Sequence, residues 1–222
     1  MKLIVTLIAS LFFTAPQAAP QRFDYLVRAD FFAGAAGKDA RLQQAIDLCE
    51  RALAENPKHA EALVWHGASL LVRSGQAFAR GDMVNGGALF GRGLKEMDDA
   101  VALAADNPGV LIPRAAVLFE ATRNMPPDAA RPLIQSAVAN YERVLDVQAP
   151  GWSKLGDHGK GELLFGLADG WARLGQPDKA RKYFERLIAD APTSGQAPKA
   201  KEWIASGTIP KSNGTSCVGC HK

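Results

Sequence analysis

The chain has 222 residues, 47% of them hydrophobic and 22% charged, which excludes a wholly disordered chain and fits one domain with a sizeable core or a short helical array. Lys plus Arg number 26 and Asp plus Glu 23, mixed along the chain to a net charge of +3, so no basic patch marks a nucleic-acid partner. Three cysteines are too few for a disulfide-rich scaffold, and two of them fall in the last six residues beside a histidine.

Residues 1–19 read as an export signal peptide. Lys2 gives a positive start, Leu3 to Phe13 give an apolar run, and the small residues Ala15, Ala18 and Ala19 follow. Pro20 disfavours cutting after Ala19, so a cut after Ala18 is expected. The run is shorter than the roughly 20 residues of a membrane-spanning helix. No cysteine follows it to accept a lipid. The mature chain is expected to lack a membrane span and to be exported, in a bacterial periplasm or its equivalent.

Nine helices are predicted over 21–33, 38–55, 59–74, 83–105, 109–123, 128–147, 160–174, 177–190 and 196–205, with no strand. A helical phrase closing on a proline recurs, at Pro57, Pro108, Pro150 and Pro192. Each phrase carries apolar residues at i, i+3, i+4 and i+7, the period of a buried helix face. In the last one Ala180, Tyr183, Phe184, Leu187 and Ile188 share a stripe. The proline is expected to stop each helix, because it lacks an N–H and clashes with the preceding turn.

The clearest helix pair spans 160–190. Its first helix is apolar at Leu163, Leu164, Leu167, Ala168 and Trp171 and ends at Gly175, suited to a left-handed cap. Leu164, Leu167, Ala168, Trp171, Gly175, Ala180, Phe184, Leu187 and Pro192 sit where the tetratricopeptide (TPR) pattern places its packing residues. The chain therefore resembles a TPR protein, strongly over 162–192. Over 41–75 the likeness is fair: Ala45, Ala52, Pro57, Gly67 and Gly75 match, but His66 replaces an apolar residue. Over 76–150 the interval between prolines exceeds the family's roughly 34 residues, which suggests lengthened helices. The resemblance implies an all-α, right-handed, TPR-like solenoid of helical hairpins over 21–206, followed by a short irregular tail over 207–222. It also implies a groove that docks a partner protein or peptide.

The tail ends Cys217-Val218-Gly219-Cys220-His221-Lys222. On a helical turn, residues i and i+3 lie on one face, so both thiols can reach the two vinyl groups of one porphyrin edge. His221, four residues after Cys217, returns to that face. This C-x-x-C-H resembles the c-type haem attachment motif of the cytochromes c. The resemblance implies one covalent haem c held by Cys217 and Cys220, with His221 as proximal iron ligand. A Cys217–Cys220 disulfide, a zinc site and an inert tail are the alternatives. In common small cytochromes the motif lies near the N-terminus, whereas here only Lys222 follows it.

The sixth iron position has no assigned ligand. His158, in a Gly-rich stretch before a helix, reads as a local hydrogen-bonding residue, His66 as a semi-buried core histidine and Met97 as core. His59, Met83 and Met125 are the other histidine and methionines of the mature chain. Cys49 reads as a small core residue. Gly86, Gly87, Gly91 and Gly93 lack the Lys-Ser/Thr of a phosphate loop and read as a flexible helix start. Asn213-Gly214-Thr215 fits the short glycosylation pattern. No nucleophile or metal-protease motif stands out, so no enzyme activity is expected. The sequence points to an exported c-type cytochrome with a TPR-like body, transferring electrons to a docked redox partner. The alternative is a TPR scaffold in which the haem is accessory or a sensor.

Overall fold

The computed structural model describes residues 22–208, which are all-helical. Nine α-helices follow in order: α1 Phe23–Ala35, α2 Asp39–Glu55, α3 Ala60–Ala79, α4 Met83–Leu103, α5 Pro108–Ala121, α6 Pro127–Gln148, α7 Asp157–Arg173, α8 Pro177–Asp190 and α9 Ala197–Ser206. A short 3-10 turn, Ala149–Lys154, links α6 to α7. Helices pair as α1–α2, α3–α4, α5–α6 and α7–α8, each pair packs on the next, and α9 closes the array against α8. This is the expected TPR-like array of helical hairpins. No described helix is long and apolar enough to cross a membrane. The signal segment 1–19 and the motif at 217–221 lie outside the described residues.

Polar side chains start several helices. Asn107 accepts from the Gly109 N–H at 2.8 Å, Asp82 from Asn85 N–H at 3.2 Å, and the His59 Nδ1 from Ala62 N–H at 3.2 Å. The Asn and Asp caps are each worth about 1 kcal/mol. Gly175, at φ 75°, takes the left-handed position after α7, as its sequence context predicts.

Three local expectations are corrected. Pro108 does not stop α4, which ends at Leu103; with Asn107 as cap, Pro108 opens α5, where a first-turn residue needs no N–H. The third helix does not end at 74. It continues through Gly75 to Ala79, and the left-handed turn falls at Gly81, φ 79°. His158 does not precede its helix, because α7 begins at Asp157 rather than at 160 and carries it in its first turn.

The glycines after Asp82 are not a flexible start either. They lie within α4, and one of them, Gly93, sets its distance from α3 together with Gly67 on α3. A Cβ on Gly67 would stand 2.6 Å from the Gly93 carbonyl oxygen, and one on Gly93 would stand 2.6 Å from the Gly67 oxygen. The two backbones therefore touch. Ser74 Oγ donates to the Gly86 carbonyl at 2.7 Å along the same seam.

One apolar cluster runs from Phe23 in α1 to Leu167 in α7. A second gathers Leu164, Ala168, Ala180, Phe184, Leu187 and Trp203. Trp152 and Trp171 touch both clusters and join them into one core. Each fully buried Leu or Phe there contributes about 1.5–3 kcal/mol.

Candidate functional site

Cys217, Cys220 and His221 lie outside the described residues, so the structure brings nothing to them. The other candidates fall within it. Met97 is fully buried in the core, Met125 packs half-buried on it, and Met83 is 65% exposed at the start of α4. His59 caps α3, and its ring lies 4.8 Å from that of Phe23. His158 is exposed. Among the described residues no group of three or more His, Cys, Asp or Glu could hold a metal ion.

His66 is only 2% exposed and sits in a polar seam between α2, α3 and α4. Its Nδ1 lies 2.5 Å from Glu96 Oε2, and Glu96 Oε1 accepts from Arg92 Nε at 2.8 Å. Burial pushes the Glu96 carboxyl up, but the hydrogen bonds from His66 and Arg92 outweigh it and hold the carboxyl below its ordinary value. The second His66 nitrogen, Nε2, has no hydrogen-bond partner and lies 3.7 Å from Glu50 Oε1. The expectation of a core histidine is met, with one nitrogen satisfied and the other flanked by a carboxylate. Nearby Cys49 is fully buried, and burial, with Glu96 and Glu50 adding to it, pushes its thiol up to about 12. A thiol held protonated in this way is inert as a nucleophile or metal ligand.

Asp169 and Arg173 went unnoticed in the sequence. Arg173 donates to the Phe119 carbonyl at 3.1 Å and to Thr122 Oγ1 at 2.7 Å, closing the C-terminal end of α5. Asp169, one helical turn away, lies 3.9 Å from Arg173. Burial raises the Asp169 carboxyl and lowers the Arg173 guanidinium, and at that separation their attraction recovers only part of the loss. A carboxylate on the apolar face of α7 was the available signal.

Among the described residues, an open cavity with a mixed lining lies between α6, the end of α7 and the start of α8, with a volume of about 410 Å³. Arg131, Gln135, Ala139 and Glu142 recur along one stripe of α6, over Val138, Trp171 and Leu174. Trp171 Nε1 donates to Glu142 Oε1 at 3.3 Å, and the Tyr183 hydroxyl donates to the same oxygen at 3.4 Å. The Lys179 ammonium sits 3.7 Å from the Trp171 ring centroid, a cation–π contact. These residues come from three helices, so no local motif announces them.

Residues 161–194 match the tetratricopeptide repeat. The matched repeat is the α7–α8 hairpin, and it forms one wall of this cavity. Among solved structures, a thermophilic TPR protein of Thermus thermophilus is 19% identical, over 82% of this chain and 97% of that chain, with a TM-score of 0.31. No curated protein matches the chain.

Proposed function

We propose that this chain is an exported docking protein that carries one covalent haem c at Cys217 and Cys220 and exchanges electrons with a partner received on its helical body. The observation that carries the haem is the run Cys217-Val218-Gly219-Cys220-His221 behind a signal-like N-terminus. Its donor set fits the group. Each S–H can add across one vinyl group to give a thioether with nothing lost, and the His221 imidazole suits the iron. Bound there, haem supplies one-electron chemistry at iron. The thiols anchor, the imidazole tunes, and the helices position the partner. The reading is of a carrier rather than an enzyme.

Intact-mass measurement on material exported from a haem-maturing host tests it. The expected result is the mass of one added haem and a Soret band that survives denaturation, both absent from a Cys217→Ala/Cys220→Ala chain. An unmodified polypeptide mass overturns it.

A second reading is a partner-docking scaffold with an accessory or sensing haem. The match over residues 161–194 favours it, because that repeat and the cavity beside it lie wholly upstream of the motif. Deleting residues 211–222 separates the two. A scaffold keeps its partner binding, whereas an electron carrier loses function.

A further inference from the structure

We propose that the cleft between α6 and the α7–α8 turn docks an acidic peptide segment of a partner protein. An Asp or Glu carboxylate would lie between Arg131 and Lys179, and a neighbouring apolar side chain against Val138, Trp171 and Leu174. This rests on the docking reading above and names the chemistry of what is docked.

The size is suitable. A cleft of about 410 Å³ falls in the range of sites that take a few residues or a small ligand. The charge decides the class. Among the described residues neither Arg131 nor Lys179 makes an ion pair or hydrogen bond, and the Lys179 ammonium lies over the Trp171 ring. The single carboxylate in the lining, Glu142, is half-buried and holds the Trp171 indole and the Tyr183 hydroxyl on one oxygen. Two exposed cations thus face one engaged anion, which leaves positive charge at the mouth. A bare anion would use only those cations. A peptide also covers the apolar floor and offers its carbonyls to the exposed Gln135 and Gln176 amides. The chain's own C-terminal segment is the wrong occupant, since residues 209–222 carry Lys211 and Lys222 and no acidic side chain.

The test uses the full mature chain and a fluorescein-labelled seven-residue peptide alternating glutamate and leucine, followed by anisotropy. A counterpart with glutamine for every glutamate is the control. The glutamate peptide is expected to bind at least tenfold more tightly, with an affinity that falls as salt rises. Arg131→Glu/Lys179→Glu should weaken it at least tenfold, Arg131→Gln/Lys179→Gln by less, and Lys201→Glu on α9 not at all. Circular dichroism melts check that each variant folds, and the glutamine pair serves if the reversal does not. Equal binding of the two peptides, no binding, or full displacement by equimolar inorganic phosphate overturns the proposal. Acidic-peptide binding that survives both double variants also overturns the cleft while leaving the docking reading standing. That reading falls separately, if a purified redox partner fails to bind the helical body.

Discussion

In the α3–α4 hairpin the backbones meet at Gly67 and Gly93, with His66 and Glu96 paired across the same seam. In the α7–α8 hairpin no such backbone contact is needed. Ala168 and Ala180 bring the helices near, and Leu164, Phe184 and Leu187 fill the space between them, all fully buried. Phe184 is itself clasped by Trp203, 4.8 Å between ring centroids, and by Phe165 at 5.7 Å. One hairpin is held by close approach and a buried polar contact, the other by the volume of its side chains. The same architecture therefore tolerates two packing solutions, and the tetratricopeptide repeat match falls on the second.

The largest expected effect is on the side-chain-filled seam. Phe184→Ala should cost about 3–5 kcal/mol, read as a lowered urea midpoint, because it opens a cavity that α9 cannot collapse into without losing Trp203. A loss under about 1 kcal/mol would show that Phe184 does not hold this hairpin together. Gly67→Ala comes next. Its Cβ would lie 2.6 Å from a backbone oxygen, which no rotamer change relieves, so a loss of roughly 1–3 kcal/mol is expected. A thermal melt that matches the parent chain would mean that α3 and α4 have room to part. Glu96→Gln should have the smallest effect and a pH signature. The Glu96 carboxyl is held below its ordinary value of 4.5 in the folded chain. Its contribution is therefore present above that value and is lost as the pH falls through the lower, folded value. Urea midpoints measured on both chains across the acid range should converge as the pH drops. A constant gap between them would remove Glu96 as the source.

Much of the helical layout was legible because a helix writes its period into the chain. All nine helices fall near their expected places, and Gly175 and Pro192 act as read. The misses have physical causes. Pro108 was read as the end of one helix, but a proline is equally at home in the first turn of the next, and Asn107 before it decides the matter. The α4 glycines looked mobile because the α3 backbone that they meet is not visible in their own segment. Arg173 looked like an ordinary surface cation, and only folding carries it to the end of α5. The cleft combines Arg131, Trp171 and Lys179 from three helices, so it exists as a site only after they pack.

The sequence by itself determined the helical class, the pairing of neighbouring helices and the C-x-x-C-H donor set, since each depends on residues within a few turns of one another. Tertiary structure alone decided which glycines carry backbone contact, which carboxylate meets His66, and where two cations without a carboxylate partner flank an apolar floor. Those outcomes depend on the distance between residues far apart in the chain, and local periodicity does not encode it.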